Sequence, residues 1–224
     1  MAQVCLFLLP AIGLLGASNA KLQAEPVKPG SNDRRVTLMV STLLQREHVS
    51  KRELNNQISR RGFVNYLKAL DPSKMYFLQS DVDEFTKHQD NLDDMLKDGD
   101  ITFAYTVFQK FIQRVDERVK LVDEILKEKP DFTVEEEIVT DPDKTEYSKT
   151  DKDIHERWRK RIKLDLLGLK VEKKKVNIEP MERLHRRYTG FARRMGQIDS
   201  DDILEMFLTS LTTCLLYTSP SPRD

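Results

Sequence analysis

Between Asp33 and Thr213 apolar residues return every three or four positions and almost nowhere alternate, which commits the chain to helices packed through one face each. The longest such stripe runs from Asp100 to about Lys129, with Ala104, Val107, Phe108, Phe111, Val115, Val119, Val122 and Leu126 on one side and Pro130 as its terminator. A second spans Asp151 to Leu169 and carries Ile154, Trp158, Ile162, Leu166 and Leu169, which places Trp158 in a core. Val36, Met39, Val40, Leu43 and Leu44 form the predicted inner face of a first helix. Ser50 and Glu53 have capping-box spacing and predict a second helix, with Leu54, Ile58, Tyr66, Leu67 and Leu70 inward, stopped by Asp71-Pro72.

The same rules place a helix capped by Ser80, carrying Phe85, Leu92, Met95 and Leu96 and ending at Gly99. Another opens at Pro180, turns Met181, Leu184, Tyr188, Phe191 and Met195 inward, and has Gly196 at its C-cap. A last helix, capped by Ser200, carries Ile203, Phe207, Leu208 and Leu211. Residues 131–140 read as a short strand or hairpin or as one helical turn, with no propensity to decide, and 141–150 as a polar turn. No period near 34 residues marks a helical array. The expected fold is all-α: one irregular domain of six to eight helices over residues 33–213.

Both ends differ from this body. Residues 1–20 hold no charge and contain VCLFLLPAIGLLGA followed by Ser18-Asn19-Ala20, the layout of a signal peptide cleaved after Ala20, with Ala24 as second choice. Met1-Ala2-Gln3 lacks the usual basic residue. The apolar stretch is short for a bilayer span and Pro10 interrupts it, so a periplasmic or envelope protein with no stable membrane span after cleavage is expected. Residues 21–32, with two prolines and a glycine, read as a flexible leader. The string CLLYTSPSPRD, residues 214–224, abandons the helical period and resembles, codon for codon, an in-frame translation of a transposase-type sequencing adapter. It is expected to be non-biological, with the native protein continuing past Thr213.

Chemistry is sparse. The two cysteines, Cys5 and Cys214, both lie in the suspect ends, so the body offers no disulfide, thiol nucleophile or cysteine-bound zinc. His48, His88, His155 and His185 sit on four separate segments, without the convergent ligands a metal needs. Asp81, Asp83, Glu84, Asp93, Asp94 and the run Glu135-Glu136-Glu137 read as solvated faces rather than an acid/base pair. No phosphate loop, G-x-S-x-G elbow or S-x-x-K motif occurs. Charge is uneven: residues 151–196 carry 15 basic against 7 acidic side chains, and residues 71–146 carry 10 against 21. Export argues against nucleic acid as the reason; two oppositely charged lobes packed together, or an acidic patch for a partner, is the simpler reading. No catalytic residue, cofactor or metal ligand is assigned.

Five stretches carry more. LDPSKMYFLQSDVDEF (70–85), GDITFAYTVFQKF (99–111), DFTVEEE (131–137), WRKRIKLDLLGLK (158–170) and RLHRRY (183–188) stand in the order and separations of one family. From Arg34 to Thr213 the chain resembles the N-terminal helical domain of the tail-specific proteases, or C-terminal processing peptidases. That resemblance implies a bacterial envelope serine endopeptidase that engages protein substrates by apolar C-termini through a PDZ domain and cleaves them with a Ser/Lys dyad, with a protein adaptor as a further partner. Those parts lie outside residues 1–224, so no family catalytic residue maps here. The competing class is a free-standing exported helical interaction module.

Overall fold

A computed structural model describes residues 27–47, 54–128, 130–171 and 178–216. The signal and most of the leader, the Ser50–Glu53 capping box, His48 and residues 217–224 fall outside them. Of the adapter-like end 214–224, residues 214–216 continue the last helix, which the sequence predicts to lose its period after Thr213. The described residues form eight helices: α1 (Asp33–Glu47), α2 (Asn56–Leu70), α3 (Gln79–Thr86), α4 (Leu92–Asp98), α5 (Thr102–Ile125), α6 (Asp151–Val171), α7 (Pro180–Met195) and α8 (Ser200–Leu216). There is no strand among them, so the all-α expectation holds.

Two apolar clusters organise the helices. The larger gathers α2, α3, α4, the first half of α5 and α8 around Tyr66, Phe77, Phe103, Phe108, Phe111 and Phe207. α2 and α8 meet most closely at Gly62, where an added Cβ would lie 2.3 Å from Leu211 Cδ2 and 3.3 Å from its Cα. Only a residue without a side chain allows that approach. The smaller cluster joins the end of α5 to α6 and α7 through Val122, Ile125, Ile154, Trp158, Ile162, Leu166 and Leu184. Trp158 is 2% exposed, as its helical stripe predicts.

Several local expectations are corrected. On α1, Met39 and Leu43 are 60% and 54% exposed, and Val36 is exposed too, while Asp33, Thr37 and Ser41 are buried. The helix is turned this way by a polar clasp at its start. Asp33 Oδ2 accepts from the Tyr105 hydroxyl (2.6 Å) and the Gly30 amide (2.8 Å), and Thr37 donates to Asp33 O. Val40 and Leu44 do pack on the core.

α2 starts from Asn55, whose Oδ1 accepts from Gln57 and Ile58 amides. The single helix expected over 80–99 is two. Its break is held by Ser59 Oγ, which takes the Leu92 amide at 2.7 Å, and by the Arg60–Asp90 ion pair. Ser80 is not the cap of α3; Asp81 instead accepts the Leu78 amide from within the first turn. Gly99 does end α4 in the left-handed region, φ 69°.

α5 begins at Thr102, with Asp100 Oδ1 accepting its amide, and stops at Ile125, before Pro130. Gly196 ends α7 with φ −71°, a conformation open to any residue. Asp199, not Ser200, caps α8, taking the Asp202 amide at 3.0 Å. Residues 131–140 form neither strand nor helical turn. They are held by side chains instead: Glu136 by Arg159 and Lys163, and Phe132 beneath Lys170, whose Nζ lies 3.6 Å from the ring centroid. One 3-10 turn, Pro142–Lys144, occupies the polar stretch beyond it.

Candidate functional site

A polar construction with buried ends, the turn from Asp71 to Asp81, lies between the two clusters. α2 must end there, because Pro72 has no amide to donate and Asp71 N closes the last turn onto Leu67 O at 2.8 Å. A carboxylate at a helix C-terminus opposes the helix dipole. Three backbone amides of the turn compensate for it: Oδ1 accepts the Met75 amide (2.8 Å), and Oδ2 accepts those of Tyr76 (2.9 Å) and Phe77 (3.0 Å). Burial pushes the Asp71 carboxyl up, while these three amides and nearby Arg157 pull against that. The chain turns through Lys74 with φ 53°, and its Nζ donates to Thr145 O at 2.6 Å.

The outward carbonyls of the turn are then taken by α5 and α6. Arg157 Nη1 donates to Lys74 O and Trp158 Nε1 to Met75 O, both at 2.8 Å, and Arg118 Nη2 to Tyr76 O at 3.2 Å. Tyr76 packs between Phe111, Trp158 and Phe191, ring centroids 5.4–5.6 Å away. Asp81 closes the arrangement with a two-pronged ion pair to Arg114, Nε and Nη2 both at 2.8 Å. Although burial opposes it, the Arg114 guanidinium and the Leu78 amide hold the Asp81 carboxyl below the usual range. Desolvation pulls the buried Arg118 guanidinium down, and its Nε finds no partner among the described residues.

The carboxylates read as solvated thus divide. Asp83, Glu84, Asp94, Glu135 and Glu137 are not buried. Asp81 and Asp93 are buried, the latter paired with Lys97 at 2.9 Å. Hydrogen bonds from Arg159 and Lys163 pull Glu136 down to about 2. This is also how the uneven charge is used: basic α6 clamps the acidic 131–137 segment onto itself.

His185 Nδ1 meets Asp123 Oδ1 at 2.7 Å. His88 lies 5.9 Å from the Phe103 ring, a packing contact, and His155 is exposed. No group of three or more His, Cys, Asp or Glu among the described residues could hold a metal. An open groove of about 700 Å³ between α2 and α8 is lined by apolar Ala69, Ile198 and Met206 and by charged Lys68, Asp202 and Glu205. No helix among the described residues is long and apolar enough to cross a membrane.

The turn, the aromatic box and the α6 stripe lie within the stretch that matches known proteins. Residues 39–215 match the family described as the tail specific protease N-terminal domain. A tail-specific protease of Haemophilus influenzae is 32% identical over 175 residues, covering 78% of this chain. The chain spans about a quarter of that relative's length, 25%. With more than three-quarters of its residues inside the family's span and its motifs forming the buried hub, the chain belongs to the tail-specific protease N-terminal domain family.

Proposed function

We propose that this chain supplies the helical frame of an exported serine endopeptidase that processes or degrades proteins from their apolar C-terminal tails, and that the frame performs no chemistry itself. The family span over residues 39–215 carries the reading. In this reading residues 1–20 direct export, residues 33–213 are the frame, and residues 214–224 are not native. The PDZ groove and the Ser/Lys dyad, with a lysine kept neutral by desolvation as general base, belong to the remainder of the parent enzyme.

The test compares the 224-residue chain with a gene extended past Thr213 at the native locus. Peptides with apolar C-termini should be cleaved by the extended protein alone. Activity should vanish when its downstream serine or lysine is replaced, since neither acts without the other. Peptidase activity in the 224-residue chain, surviving purification to homogeneity, overturns the reading.

A further inference from the structure

One row of side chains extends beyond the contacts that hold the frame. α7 carries Arg183, Arg186, Arg187, Arg193 and Arg194. At about 100° per residue all five fall within a sector of about 120°, away from the Leu184–Tyr188–Phe191 face that packs inward, and they extend about 16 Å along the helix. Gly190 stands at the centre of that sector, and a Cβ placed there would meet only Arg194 Nη1, at 3.7 Å, so the middle of the face is open. Arg186, Arg187, Arg193 and Arg194 are exposed. Arg183, Arg186 and Arg187 have partners, Arg186 with Glu182 at 2.6 Å and Arg187 with Asp165 at 3.2 Å. No carboxylate among the described residues lies within ion-pair distance of Arg193 or Arg194.

Every cation of the face is an arginine. Guanidinium groups are weakly hydrated and fork onto phosphate oxygens, which suits phosphate better than a lysine row would. The face is the outer side of one helix and not a cleft; the groove between α2 and α8 is lined by none of its residues. A convex row of forks matches a plane of repeated phosphates rather than one small anion or a peptide needing walls. We propose that the arginine face of α7 docks the domain onto an anionic phospholipid surface, with Arg186, Arg193 and Arg194 engaging lipid phosphates. The inference stands apart from the proteolytic reading and does not require it.

Cosedimentation of the full chain with vesicles tests it. One set is phosphatidylcholine alone and the other contains about one-third phosphatidylglycerol, where a basic residue near the surface is worth about fivefold in binding. The apolar N-terminal stretch is common to every sample, so the comparison reads the arginines. Binding should be stronger on the anionic vesicles and should fall towards the neutral baseline at about 0.5 M salt. R193Q/R194Q, at exposed positions, should lose about 25-fold on anionic vesicles and nothing on neutral ones, with an unchanged melting curve. Equal binding to both vesicle types, or unchanged binding by the double variant, overturns the proposal. So does capture by soluble polyglutamate with no preference for anionic vesicles, which would assign the face to an acidic protein.

Discussion

The two apolar clusters are held by different physics. The larger one is closed chiefly by aromatic packing and neutral hydrogen bonds, with charge at its edge in the Asp33–Tyr105 clasp and the Arg60–Asp90 pair: Tyr66 meets Phe207 edge-on at 5.4 Å and donates to Ala104 O at 2.9 Å, and Ser59 takes the Leu92 amide. The smaller one has Trp158 at its centre and a rim of charge: Glu136 with Arg159 and Lys163, Asp123 with His185, and Asp165 with Arg187 and Tyr188. A core of eight buried side chains excludes less water than one of twenty-three, so the smaller cluster leans on its rim and on the 71–81 turn. Acid and salt should therefore separate the two, whereas truncating a central side chain should damage either.

The largest effect expected is from the central side chains. Trp158→Ala and Phe207→Ala should each cost about 3–5 kcal/mol in denaturant unfolding. Their hydrogen-exchange patterns should differ, with protection lost first in α6 and α7 for Trp158→Ala and in α2 and α8 for Phe207→Ala. Identical patterns would break the distinction between the clusters. Asp71→Ala comes next: it strands the Met75, Tyr76 and Phe77 amides and should cost about 3 kcal/mol. Gly62→Ala should cost about 1–3 kcal/mol by forcing α2 from α8, an overpacking penalty confined to the larger cluster.

Acid gives the smallest and most selective effect. The folded-state carboxyls of Glu136 and Asp81 are depressed, so the stability they contribute is present above the ordinary carboxylate range. Glu136's share is lost as pH falls from about 4.5 towards about 2. Asp71, whose carboxyl is raised, acts in the opposite direction, contributing most when protonated. Trp158 fluorescence should report loosening of the smaller cluster in that window, and Glu136→Gln should flatten the response. A response unchanged in Glu136→Gln would remove the clamp from the account.

Much of the fold is legible in the sequence because it is local. Ile154, Trp158, Ile162 and Leu166 recur at helical spacing and are buried, and Pro72 and Gly99 stop helices where their backbone chemistry says they must. The hidden part depends on distant partners. Asp81 reads as one acid among several until Arg114, 33 residues away, is brought against it, and Glu136 until Arg159 arrives from 23 away. α1 departs from its apolar stripe because a buried Asp33–Tyr105 clasp outweighs it.

Two signals of the hub are nevertheless written in the chain. Asp71 stands at a helix C-terminus where a carboxylate is unfavourable. Arg118 occupies a stripe position between Val115 and Val122, and it is 5% exposed. A charge out of place in a pattern marks a group employed by the fold.

The 71–81 turn, above all, couples the two clusters into one frame. Hydrogen exchange on Asp71→Ala, resolved helix by helix, tests this directly. Protection should fall together in α2, which the turn terminates, and in α6, whose Arg157 and Trp158 donate to it. Loss confined to the end of α2, with α6 protected as in the parent chain, would show that the clusters stand independently and contradict the account.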